Sequence, residues 1–264
     1  MKEKTIAFIG RAARFSPDGV DKDLAILAAV RQKLQVMGFS CLDIVNEEGL
    51  MELPEANAYV SMARGGMVLD LLAEKDAAGK LVVNSTPAVM LCNYRSLLMN
   101  TMQCEDVPVP PLTGTDGYWV KRGFGCRESA ADVQYAADRE TALQLRDQML
   151  SRGIAAVDVR AHVVGDWLKF YGVAGTDFFY TYYPEGKAKN KLNKRMLLRK
   201  VAWTVADIDG LTVYGGDCII REDGTPVLID LNDWPSFSPC REEAAKAIAE
   251  QISEILNDME EEDC

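Results

Sequence analysis

The chain has 264 residues, a hydrophobic share of 48%, a charged share of 26% and a formal net charge of -11. That is an ordinary globular composition, with one large domain or two to three lobes expected. The acidic balance argues against nucleic-acid partners, whose phosphate backbones need a basic footprint. No run of ~18 apolar residues supports a membrane span. Met1 to Lys4 lead straight into a short strand rather than a signal-peptide core, so a cytoplasmic protein is expected. The seven cysteines are scattered with no CxxC pair, which reads as reduced thiols and argues against zinc; His162 is the single histidine.

Strand and helix patterns alternate along residues 1–110. Thr5 to Gly10 is a buried-type strand, and Asp21 to Met37 is helix-periodic. Phe39 to Val45, Ala58 to Met62 and Leu81 to Val83 read as short strands, with helices near Val68 to Ala78 and Ser96 to Gln103. The alternation predicts a small parallel α/β sheet. Gly10 is followed by Arg11-Ala12-Ala13-Arg14, so a dinucleotide GxGxxG fingerprint is absent. The closely spaced prolines of Val107-Pro108-Val109-Pro110-Pro111 favour an extended connector and mark a boundary at 110/111.

Beyond it, Tyr118 to Lys121 reads as a strand and Arg122-Gly123-Phe124-Gly125 as a glycine-containing loop. Arg139 to Arg152 is helical in pattern, Asp158 to Val163 and Lys169 to Val173 are strands, and Leu197 to Ile208 fits a helix. Glu242 to Met259 reads as a closing helix, and Asn257 to Cys264 as a solvated acidic tail.

The most informative segment is Gly216 to Asn232. Asp223-Gly224 between two apolar runs is a hairpin signal. With those two as the turn, Glu222 pairs with Thr225 and Asp217 falls opposite Asp230, their Cβ atoms roughly 5 Å apart. Asn232, two residues on, points to the same face. Like charges facing each other across a ladder are destabilising unless something cationic lies between them. Two carboxylates and a carboxamide form an all-oxygen set that suits Mg²⁺. The plainer reading is an exposed hairpin with solvated acids, which Cys218-Ile219-Ile220 and Val227-Leu228-Ile229 are too apolar to favour.

Asp217 with Asp230-Leu231-Asn232, followed by Asp233-Trp234-Pro235-Ser236, resembles the metal-binding signature of the ATP-grasp superfamily. The resemblance implies an ATP-grasp fold over 111–264, in lobes of about 111–163 and 164–264, behind an N-terminal α/β accessory domain. It implies ATP with one or two Mg²⁺ ions, Mn²⁺ substituting, held by Asp217, Asp230 and Asn232. Lys121 resembles the strand lysine that reaches the nucleotide phosphates, and Gly123 and Gly125 a shortened phosphate cover. Arg160, Ala161, His162 and Val163 resemble the interlobe hinge whose backbone reads adenine, and Lys169 a second phosphate or substrate lysine. Relatives often carry an arginine two residues before the first metal acid, where this chain has Gly215.

The implied activity is an ATP-dependent ligase, RimK-like, joining a small-molecule carboxylate to an amine through an acylphosphate. An ATP-grasp small-molecule kinase and a nucleotide-binding regulatory protein without turnover are the alternatives, and the oligomeric state is open. Lys121 also fits a strand-end lysine in water, and His162 a hydrogen-bonded core histidine. The basic run of Lys187, Lys189, Lys191, Lys194, Arg195, Arg199 and Lys200 reads either as a solvated face or as an anion-attracting entrance. In the second reading, the guanidinium fork of Arg199 is the candidate for stabilising a transferring phosphoryl group.

Overall fold

The computed structural model describes residues 4–16, 19–104, 106–186, 188–206 and 208–262. Lys187 of the basic run and the last two residues of the acidic tail lie outside them. The N-terminal sheet is parallel, in the order β2-β1-β3-β4: β1 Thr5–Gly10, β2 Ser40–Asn46, β3 Ala58–Ser61 and β4 Leu81–Val83. Its connections carry α1 (Val20–Val36) and α2 (Gly66–Ala77). Ile26, Leu27, Val30 and Leu34 of α1 share one buried core with Ala244, Ile248, Ile252 and Leu256 of the closing helix, α7 (Arg241–Glu262). That spacing is the apolar stripe of a packed helix, and each buried Val, Leu or Ile in it contributes roughly 1.5–3 kcal/mol. The first and last parts of the chain are therefore welded by one core.

Two helices join this sheet to the rest, α3 (Thr86–Asn93) and α4 (Arg95–Cys104). The first is missing from the sequence pattern, although Ser85 caps it and accepts from the Ala88 amide at 3.3 Å, with Pro87 in its first turn. A second sheet, β6-β5-β7, is antiparallel and built from β5 Tyr118–Arg122, β6 Val133–Ala136 and β7 Val157–Ala161. Helix α5 (Arg139–Ser151) covers it through Ala142 and Met149, its N-terminus capped by Asp138. The third sheet, β11-β10-β8-β9, comprises β8 Asp166–Val173, β9 Phe179–Tyr182, β10 Val213–Ile220 and β11 Pro226–Asp233. Leu197 and Val201 of α6 (Lys194–Ala206) pack in its core. The short strands β6 and β9 are absent from the sequence reading, and β7 ends at Ala161, before His162 and Val163.

The hairpin corrects one expectation and keeps another. Its loop is three residues, not two: the Arg221 amide donates to Thr225 and the Gly224 amide to Arg221, with Gly224 at φ 82. This is a turn closed by a residue in the left-handed region, which glycine occupies without Cβ strain. The shift of one residue persists through Ile220 opposite Pro226 and Cys218 opposite Leu228. A β-bulge at Ile229 then removes it, so Asp217 does face Asp230. The pairing follows from two irregularities that cancel.

Candidate active site

The second and third sheets flank a cleft of about 720 Å³. Lys121 on β5, Asp158 and Arg160 on β7, His162 and Val163 after it, and Asp217 and Asp230 on the hairpin all line it. On β10, Asp217 lies between two neighbours: Asp230 on one side and Lys169 of β8 on the other. Lys169 Nζ donates to both Asp217 oxygens, at 2.8 and 3.1 Å, and Trp167 Nε1 donates to Oδ1 at 2.7 Å. Across the ladder, Asp230 pairs with Arg95, the first residue of α4, at 3.0 Å. The repulsion expected between the two acids is thus offset by one cation for each.

Electrostatics at the site follow from these neighbours. Burial pushes the Asp230 carboxyl up, but Arg95 and Lys121, with a hydrogen bond from Asn232, outweigh it and hold it below the usual carboxylate range. The Lys121 ammonium is lowered by burial and then by Arg95. Arg95 stays fully charged, since Asp230 more than offsets its desolvation.

The donor set fits a hard divalent cation. Each carboxylate oxygen has more than one lone pair, so a cation could bind without expelling Lys169 or Arg95. Asn232 donates its amide to Asp230, which leaves its carbonyl oxygen as the group available for a metal. Among the described residues no cluster of three His, Cys, Asp or Glu side chains is arranged to hold a metal. Such a two-carboxylate site suits Mg²⁺ completed by substrate phosphates and water.

Arg160, Ala161, His162 and Val163 also line the cleft, whereas Gly123, Gly125 and Arg199 do not. The Arg160 guanidinium, 6% exposed, is engaged with Asp158 Oδ1, Pro110 O and Asn100 Oδ1. It ties β7 to α4 and the proline connector. The amides of Ala161 and His162 donate to Pro111 and Gly117, and His162 Nδ1 accepts from Trp119 Nε1 at 3.1 Å. Gly123 and Gly125 donate their amides to Ala156 and Asn93, so the loop is pinned back, and neither lines the cleft. Arg199 sits exposed on α6 and does not line the cleft.

Arg95 was missed by sequence reasoning because a lone arginine opening a helix carries no motif. Its placement answers a question left by Gly215. A Cβ at Gly215 would lie 2.7 Å from both Pro235 Cγ and Tyr171 Cδ1, so no arginine fits there. The cation beside the second acid comes from α4 instead.

Comparison with known proteins gives the fold a name. No protein-family model and no curated protein sequence matches the chain. Solved structures do. The D-alanine–D-alanine ligase of Coxiella burnetii is 11% identical, with a TM-score of 0.73 over 99% of this chain and 97% of that one. The VanG D-Ala:D-Ser ligase of Enterococcus faecalis is 12% identical, with a TM-score of 0.72 over 97% and 100%. A RimK domain ATP-grasp protein of Sphaerobacter thermophilus is 16% identical, with a TM-score of 0.66 over 93% and 98%. Over nearly its whole length the chain shares the overall fold of these ATP-grasp structures.

Proposed function

We propose that the protein is an ATP- and Mg²⁺-dependent ligase that joins a small-molecule carboxylate to an amine. The observation that carries this reading is the Asp217–Asp230 pair, which lines a cleft together with Lys121 and residues 161–163, while Asn232, hydrogen-bonded to Asp230, lines the adjoining cavity. The D-alanine–D-alanine ligase of Bacillus anthracis, crystallised with ATP, has the same fold at 12% identity and a TM-score of 0.71. A division at 110/111 into an accessory domain and an ATP-grasp domain accompanies this proposal.

In this reading the substrate carboxylate attacks the γ-phosphorus of ATP, giving ADP and an acylphosphate; the amine then displaces phosphate to form the amide. Mg²⁺, held by Asp217, Asp230 and Asn232, would neutralise charge on the phosphates. Lys121 meets the phosphates from β5, and ATP there would relieve the repulsion it suffers from Arg95. Arg95, which lines the cleft beside Asp230, would stabilise charge developing on the transferring group, a role for preorganised cations in a shielded site. Lys169, which does not itself line the cleft, would act by holding Asp217 in place. The chemistry is positioning and electrostatics, with no side-chain nucleophile.

Thermal melts test the nucleotide site. A ligand that binds only the native state adds about 2.7 kcal/mol at a hundredfold excess over Kd. MgATP is expected to raise Tm clearly, and ATP in chelator much less. No shift with any nucleotide would remove the reading.

A further inference from the structure

A second cavity, of about 620 Å³, is lined by Asn232 and shares Arg95 and Arg127 with the cleft. Among the described residues Arg11, Arg64, Arg95 and Arg127 line it, with two acids, Glu128 and Asp233. Glu128 is bridged to Arg122 at 3.0 Å. In a chain of net charge -11, four arginines gathered around one cavity stand out. Arg95 and Arg127 line both cavities and mark the seam between them, whereas Arg11 and Arg64 line the second alone.

Arg11 and Arg64 follow β1 and β3, the two central strands of the parallel sheet, and both converge on the fully buried Asp233. Arg64 hydrogen-bonds Asp233 Oδ1, and Arg11 lies 3.7 Å from Oδ2 and 3.1 Å from Asp23. Two buried guanidiniums thus share Asp233, and repulsion from Arg64 adds to burial in depressing Arg11. Arg64 Nε is buried with no partner among the described residues. The pair is also held in place. The buried Glu47 carboxylate accepts the amides of Ala12 at 2.7 Å, Arg64 at 2.9 Å and Gly65 at 2.6 Å, clamping both loops.

We propose that the acid substrate is at least dianionic, with its reacting carboxylate at the Arg95–Arg127 seam and a second anionic group held by Arg11 and Arg64. This rests on the ligase reading and makes Arg11 and Arg64 its specificity determinants. A guanidinium fork matches carboxylate and phosphate oxygens alike, so the distal group is either of those two. A neutral or ammonium group at that end leaves Arg64 Nε without an acceptor.

The test uses acids matched in chain length that differ only in the distal group: carboxylate, phosphonate, methyl or ammonium. Binding is measured by calorimetry with MgADP present, and ADP release is followed with hydroxylamine, which traps acylphosphates. Acids with a distal anion are expected to bind roughly 10- to 100-fold tighter than the others. The ranking of carboxylate against phosphonate assigns the distal group. Combining Arg64→Met with Asp233→Asn removes Arg64 and the acid it shares with Arg11, leaves Arg11 paired with Asp23, and is expected to erase most of that preference. MgATP stabilisation should survive in the same protein. If the double variant does not fold, Arg64→Lys keeps the charge, loses the fork and should weaken the preference alone. Distal methyl or ammonium acids binding equally well, no acid binding at all, or a preference that survives these variants overturns the proposal. Absence of MgATP stabilisation in the parent is the separate result that removes the ligase reading.

Discussion

Replacing Asp230 with Asn separates two opposed electrostatic effects. If repulsion between Asp217 and Asp230 dominated, the change would stabilise the protein without ligand by roughly 0.2–1 kcal/mol. The structure points the other way, because Asp217 is already held by Lys169 at 2.8 Å and Asp230 by Arg95 at 3.0 Å. The Arg95 side chain is only 22% exposed. Removing one partner of a fully buried pair costs about 3–5 kcal/mol. Here the pair keeps some solvent and Asn keeps an acceptor oxygen, so a loss of about 1–3 kcal/mol is expected. At about 2–4 °C per kcal/mol for a chain of this size, Tm in chelator should fall by several degrees. Because Asp230 is held below its ordinary 3.8, its contribution is present above that pH and is lost as pH falls beneath it. Parent and variant should therefore converge in acid. The same variant is expected to lose the Mg²⁺-dependent part of the ATP-induced shift. An unchanged or raised Tm in chelator refutes the Arg95 pairing, and a full MgATP shift refutes the metal role.

Three further outcomes are expected. Lys121→Met should leave the Tm without nucleotide unchanged or slightly higher, since burial and Arg95 already disfavour the charged ammonium; ATP affinity, read by calorimetry, should fall by roughly tenfold or more. Asp132 is held down to about 2 against the burial that would raise it, by the Glu128 and Ser129 amides and by Arg152 and Arg122. Its depressed pKa contributes about 2 kcal/mol above pH 4, lost as pH falls toward 2; Asp132→Asn should lower Tm at pH 7 and flatten the acid limb of Tm against pH. Glu47→Gln should cost about 1–3 kcal/mol by denaturant titration, because Oε1 accepts from Ala12 and Oε2 from Arg64 and Gly65, and the Gln amide nitrogen can replace neither oxygen as an acceptor. An unchanged midpoint would show that Glu47 does not clamp the two loops.

The sequence by itself determined what depends on local pattern. Residues 5–10, 58–61 and 81–83 are apolar runs between turn signals, and they are strands of one parallel sheet. Asp-Gly between two apolar runs placed a hairpin, and the side-chain period of two put Asn232 on the face of Asp230. Other features depended on chains meeting at a distance. The bulge at Ile229 restores the register that the three-residue turn shifts, and no local propensity announces it. Arg95 reaches Asp230 across 135 residues of sequence, and Arg64 reaches Asp233 across 169. Neither arginine belongs to a periodic pattern, so only folding reveals what it neutralises. Arg199 shows the converse: its neighbours in sequence formed a basic run, yet α6 turns it outward, away from the cleft. Charge is legible along a chain, but the partner of each charge is fixed by packing, because Coulomb energy depends on separation in space and on the burial that only the tertiary structure supplies.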